Sequence, residues 1–108
     1  MQTVTHTDPI LQDVRSGIRG AFGSRLARLV LFGSRARGDA TADSDYDVAV
    51  FLHGMTDRWA EFDRINKVAG DILMHRFAVV HALPYDERSY NDNPSSLMRN
   101  IREEGVEL

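Results

Sequence analysis

The sequence predicts an α/β protein of the α+β type, with one small mixed β-sheet flanked by helices. Three observations carry that prediction. Short β-rich apolar runs alternate with stretches of helical periodicity, Asp-Pro and Asn-Pro pairs stand where helices would start, and Gly23 and Gly105 stand where they would stop. At 108 residues and 43% hydrophobic content, the chain is expected to form a single domain over 1–108 around one core.

In chain order, Asp8 caps a first helix with Pro9 at its opening position. Its apolar residues Ile10, Leu11, Val14, Ile18 and Phe22 recur at helical spacing. Leu26 to Phe32 reads as a buried strand, and Gly33 to Ser44 as a loop with room for a helical turn. Tyr46 to Leu52 is a second strand, apolar on both faces beyond its first residues and so expected at the centre of the sheet. Thr56 is the expected cap of a second long helix, whose apolar face runs through Trp59, Phe62, Ile65, Val68, Ala69, Ile72 and Leu73. On that spacing Trp59 and Phe62 are expected in the core. Phe77 to Leu83 reads as a third strand stopped by Pro84. Asn93-Pro94 opens a last helix through Glu104, ended by Gly105, and Val106 to Leu108 is an expected edge strand.

Composition narrows the classes of function. There are no cysteines, which excludes disulfides and thiolate metal sites. No apolar run approaches the roughly 20 residues of a membrane span. The polar start, Met1 to Pro9, lacks the pattern of a signal peptide, so the expected location is cytoplasmic. A net charge of −3 argues against direct nucleic-acid binding through electrostatics. The charges are nevertheless segregated: residues 1–38 hold six arginines and two aspartates, whereas residues 39–108 hold seven basic and fourteen acidic side chains.

The change of sign falls within GSRARGDATADSDYD, residues 33–47. Asp45 and Asp47 are one residue apart at the mouth of a strand, so their side chains project from one face, roughly 6–7 Å apart at Cα. Two carboxylates so placed can both reach one hard cation, and without one they would repel or raise a pKa. Upstream, Gly33 permits close backbone approach to a ligand, and the Ser34 hydroxyl with nearby N–H groups can cradle a phosphate. Arg35 and Arg37 suit further phosphate oxygens. A phosphate-holding turn facing a metal-holding acid pair is equipment for phosphoryl or nucleotidyl transfer.

Other motifs fail on the letters. A Walker A loop needs Lys-Ser or Lys-Thr where Asp39-Ala40 stands, and a dinucleotide fingerprint needs glycine at Arg35. An EF-hand starting at Asp39 needs glycine at Ser44 and an acid at Val50. Asp39, Asp43 and Ser44 read as loop formers and caps. That explanation does not extend to two acids in phase on a strand.

Gly33-Ser34, ten residues, then Asp45-x-Asp47 resembles the signature of the nucleotidyltransferase superfamily that includes DNA polymerase beta. The longer stretch FGSRARGDATADSDYDVAVF, with SSLMRNIREEGVEL near the end, is similar to the minimal nucleotidyltransferase (MNT) group of prokaryotes. The resemblance implies the polymerase-beta-like nucleotidyltransferase fold, ATP as substrate, and magnesium, with manganese as the alternative ion. It implies transfer of AMP to an acceptor hydroxyl, with Gly33 and Ser34 on the nucleotide phosphates and Asp45 and Asp47 as catalytic metal ligands. Many members are antitoxins paired with a HEPN-type toxin, so a hetero-oligomer with such a toxin is expected, neutralised by adenylylation or by complex formation alone. A small-molecule nucleotidyltransferase is the third reading. The superfamily commonly places a third carboxylate on a later strand. Phe77 to Leu83 holds none, and His81, its only polar side chain, is the substitute at that position; Asp86 and Glu87 are expected in a loop beyond Pro84.

Overall fold

The computed structural model describes residues 8–108; the expectation for the leading residues of the chain therefore lies outside the described part as far as Thr7. Helix α1 spans Pro9–Phe22 and opens as expected, the Asp8 carboxylate accepting a 2.8 Å hydrogen bond from Ile10 N–H. Leu11, Val14, Ile18 and Phe22 are its buried stripe. Gly23 ends the helix with φ of 55° and starts a one-turn 3₁₀ segment, Gly23–Arg25.

Strand β1 (Leu26–Phe32) and strand β2 (Tyr46–Leu52) pair antiparallel, with Phe32 opposite Asp47. Between them the expected turn is a four-residue helix, α2 (Ser34–Arg37). Strand β3 (Val80–Asp86) runs parallel to β2, and the two-residue β4 (Val106–Glu107) pairs antiparallel with β1. The order β3-β2-β1-β4 makes the sheet mixed and puts β2 inside it, as its apolar run predicts.

Helix α3 (Arg58–Arg76) starts one residue later than expected: Asp57, rather than Thr56, is the cap, accepting from Ala60 N–H at 3.2 Å. Its apolar residues form two adjacent stripes, and one packs. Ile65 and Ile72 are buried against α1 and the sheet, with Val68 and Ala69 beside them. Trp59 is 79% exposed, Leu73 is also exposed and Phe62 is half-buried and packs in neither core cluster, which corrects the expected core positions of Trp59 and Phe62. The physical reason is geometric. In the first turn Trp59 lies about 120° around the helix from the packed face, on which Glu61, Ile65, Val68 and Ile72 recur every three or four residues. Within that turn Glu61 is 6% exposed, and its two carboxylate oxygens accept from the two terminal guanidinium nitrogens of Arg25.

The third strand is also shifted. Phe77 takes the left-handed cap of α3, with φ of 56°, and β3 begins at Val80 and runs through Pro84 to Asp86. Proline is tolerated because β3 is an edge strand. Tyr46 N–H donates to Val79 O and Glu87 N–H to Leu52 O, so odd-numbered residues face β2 and Pro84 faces away, where no donor is needed.

The last helix is shorter than expected. Ser89–Asp92 forms a separate turn, α4, and α5 spans Ser96–Glu104. Asn93 is not its cap: the Asn93 side chain accepts from Ser95 N–H in an Asx turn, and Ser95 caps the helix through Met98 N–H. Gly105 ends α5 as expected, although in extended rather than left-handed backbone. A Cβ there would stand 2.3 Å from Ile101 O and 2.4 Å from Val30 Cγ1, so glycine is required by close approach.

The two sheet faces differ. Leu29, Leu31, Val48, Val50 and Leu52 face α1 and α3, while Val30, Ala49 and Phe51 face Met98 and Ile101 of α5. The second face is covered only in part, and Asp45 and Asp47 lie at its open end. Among the described residues no helix is long and apolar enough to cross a membrane.

Candidate active site

Asp47 is the second residue of β2, and Asp45 stands just before the strand. Pairing of β2 with β3 sets His81 opposite Asp47. The His81 ring faces both carboxylates: Nε2 is 3.6 Å from Asp45 Oδ2, and Nδ1 is 3.8 Å from Asp47 Oδ1. The two acids therefore share a face, as strand alternation requires, and His81 stands where a third group would complete the cluster. Asp86 belongs to β3 rather than to a loop. It pairs with Leu52, five positions from His81 or about 16 Å along the strand, and its carboxylate is turned to Arg88. It cannot act as the missing third acid.

Gly33 brings the turn over this cluster. Its φ of 76° and ψ of −158° are glycine-specific, and its carbonyl accepts from Ala36 and Arg37 N–H at the start of α2. A Cβ at Gly33 would lie 2.5 Å from Asp47 Oδ2, so the glycine keeps open the space beside that carboxylate. Ser34 is the first residue of α2, where helix N–H groups lack intrahelical acceptors.

The two arginines have different surroundings. Arg35 donates to Ser44 O at 2.8 Å and lies over the Tyr46 ring, 4.1 Å from its centroid, so it pins the loop that delivers Asp45. Arg37 makes exposed ion pairs with Asp39 at 3.2 Å and Glu104 at 3.3 Å. Such pairs are worth little and exchange readily for a better anion. The Ser44 hydroxyl accepts from Thr41 N–H, bearing out its loop-forming role.

Sequence reasoning missed a clamp behind the site. Tyr46 O–H donates to Asp8 Oδ2 at 2.7 Å, tying the mouth of β2 to the start of α1. Burial, reinforced by that bond, pushes the Tyr46 phenol up to about 12. The only signal in the sequence was a tyrosine between two acids, and its partner lies far off in the chain. Beside Asp45 opens a cavity of about 320 Å³, with Arg35, Ser44, Arg76 and Phe77 among its walls.

Residues 15–107 match the sequence model of the family described as Nucleotidyltransferase domain. The chain belongs to the nucleotidyltransferase domain family. A provisionally named protein adenylyltransferase of Methanocaldococcus jannaschii is 29% identical over 96 residues, covering 88% of this chain and 90% of that protein. The fold is shared with solved structures. A provisionally named nucleotidyltransferase from Sulfolobus solfataricus matches with a TM-score of 0.65 at 20% identity, over 92% of this chain and 76% of its own. A toxin–antitoxin crystallised with AMP-PNP gives 0.65 at 19%, over 89% and 69%. A mutant of the toxin–antitoxin MntA-HpeT gives 0.57 at 17%, over 93% and 69%.

In this nucleotidyltransferase domain the donor set suits a hard divalent cation held jointly with a nucleotide. Magnesium is commonly bound by one or two carboxylates plus substrate phosphates rather than by an all-protein cage. Asp45 and Asp47 supply two carboxylates, and among the described residues no group of three or more His, Cys, Asp or Glu is placed to hold a metal ion. Burial holds the Asp47 carboxyl above the usual carboxylate range; His81 pulls it down, Asp45 pushes it up, and Arg37 pulls it down. A cation between the acids would favour ionised Asp47.

Proposed function

We propose that this nucleotidyltransferase moves AMP from ATP to a hydroxyl of a partner protein, acting as an antitoxin that adenylylates a HEPN-type toxin. The observation that carries this reading is the convergence of Asp45, Asp47 and His81 beneath Gly33-Ser34. The resemblance to the protein adenylyltransferase and the fold shared with two toxin–antitoxin structures support it.

In the reaction the acceptor oxygen bonds to the α-phosphorus, the bond to the β-phosphate bridge breaks, and pyrophosphate leaves. A magnesium or manganese ion on Asp45 and Asp47 would neutralise phosphate oxygens as charge shifts to the leaving group. Ser34 and the opening N–H groups of α2 hold phosphate oxygens, with Arg37 exchanging Asp39 and Glu104 for the nucleotide. Arg35 holds the loop carrying Asp45. The cavity beside Asp45 receives the nucleoside against Phe77. His81 is the basic group placed to take the proton lost by the hydroxyl.

The second reading is a non-catalytic module that neutralises its partner by binding. The observation favouring it is that the position opposite Asp47 carries an imidazole instead of a carboxylate. Intact-mass spectrometry of a HEPN-type partner incubated with this protein, ATP and magnesium separates the two. An AMP adduct that disappears with Asp45→Asn/Asp47→Asn is the expected result. A stable complex without adduct would replace the first reading by the second.

A further inference from the structure

The two acids of the site are held in different ways. Asp47 lies inside the sheet ladder, opposite Phe32 on one side and His81 on the other. Asp45 stands just before β2, whose pairing with β3 begins at Tyr46. Without a cation its charge is repelled by Asp47, so Asp45 needs a restraint from outside the sheet.

A chain of contacts supplies one. The Ser44 carbonyl, in the peptide that leads into Asp45, accepts from Arg35 Nε at 3.3 Å and from Arg35 Nη2 at 2.8 Å. The same Nη2 donates to Ala42 O at 3.3 Å. Behind this fork lies the buried Tyr46 ring, its centroid 4.1 Å from the Arg35 guanidinium carbon. The Tyr46 O–H in turn donates to Asp8 Oδ2 at 2.7 Å. Asp8 is itself fixed, because its Oδ1 accepts from Ile10 N–H at the start of α1. Since Arg35 is the second residue of α2, the chain joins three things: the start of α1, the phosphate turn and the loop before Asp45.

This is more than a buried phenol finding a partner. Any backbone carbonyl would satisfy the hydroxyl. Here the acceptor is a charged helix cap, which makes the stronger bond. The ring so anchored backs the guanidinium that grips the Ser44 peptide, and arginine is suited to stacking and forked donation at once.

We infer that Tyr46 and Asp8 are positioning residues for the cation site, acting through Arg35 to hold Asp45 at the separation from Asp47 that one divalent ion requires. Tyr46 packs with the α1 side of the core, so both act from behind the acids rather than on the ion. The start of α1 thereby sets the affinity of a site on the other face of the sheet. The inference rests on the reading of Asp45 and Asp47 as the cation-holding pair.

Two conservative variants test it. Tyr46→Phe keeps the ring behind Arg35 and removes only the bond to Asp8. Asp8→Ser keeps a good cap for α1 but has no second oxygen for Tyr46. Each is expected to weaken magnesium binding roughly tenfold in calorimetric titration. The double variant should bind no more weakly than either, because both changes break the same bond. In the metal-free protein the Ser44 N–H, which donates to Thr41 O at 3.1 Å, should exchange several-fold faster in both. Saturating magnesium should restore kcat in Tyr46→Phe, whereas a misfolded site would stay slow. Arg25→Ala, at the far end of β1, should lower the melting temperature and leave magnesium affinity unchanged. Unchanged affinity in Tyr46→Phe and Asp8→Ser, with binding lost in Asp45→Asn/Asp47→Asn, would overturn the inference alone. So would losses that add in the double variant, an unchanged Ser44 amide, or an equal loss in Arg25→Ala. Magnesium binding that survives Asp45→Asn/Asp47→Asn would sink the cation-site reading, and the inference with it.

Discussion

Gly33 and Asp47 occupy adjoining space: a Cβ on the glycine would stand 2.5 Å from Oδ2 of the aspartate. The first strand's closing turn and the second strand's carboxylate are thus fitted to each other, and the glycine serves the backbone and the site together. Gly33→Ala should lower stability by roughly 1–3 kcal/mol through its φ of 76° alone. It should also displace the Asp47 carboxylate and weaken divalent-cation binding. Urea denaturation and calorimetric titration with magnesium check the two effects separately; unchanged values for both would remove the relationship.

Asp47→Asn should raise the melting temperature by a few degrees at pH 7 without divalent ions. The folded protein holds the Asp47 carboxyl above its usual range, mainly through burial, so the fold favours the protonated form and the ionised form costs stability. That cost appears as pH rises from the ordinary aspartate value of about 3.9 through the higher folded value. Melting curves of both proteins should converge at acid pH and separate above it. Magnesium should stabilise the parent protein and leave the variant unmoved.

His81→Asp would set a carboxylate opposite Asp47 and beside Asp45. Three acids bind a hard cation better than two and repel more strongly without it. Magnesium affinity should rise, and stability in chelator should fall. Equal magnesium affinity in parent and variant would place position 81 outside the cation site.

Arg25→Ala leaves Glu61 buried with neither of its two guanidinium donors. A buried acceptor left without partners costs about 1–3 kcal/mol. Since Glu61 lies in the first turn of α3, the loss should appear as early exchange of amides around residues 58–65. Arg25→Ala/Glu61→Leu should recover most of it, because the replacement removes the buried charge.

What the sequence by itself determined is local. The caps at Asp8 and Gly23, the alternation that aligns Asp45 with Asp47, and the Gly33-Ser34 turn depend on neighbours within a few residues, so they were legible before any fold was known. The family was legible for the same reason, since its signature is a short run with fixed spacing. Tertiary structure decided what depends on partners far off in the chain. Trp59 lies outside the core because the packed stripe of α3 is the one through Ile65 and Ile72, and helical spacing alone does not say which of two adjacent stripes packs. Pro84 lies inside a strand because β3 is at the edge, a property of sheet order rather than of the residue. The meeting of His81 with Asp45 and Asp47 follows from the register of β3 against β2, which strand pairing sets and no local pattern contains.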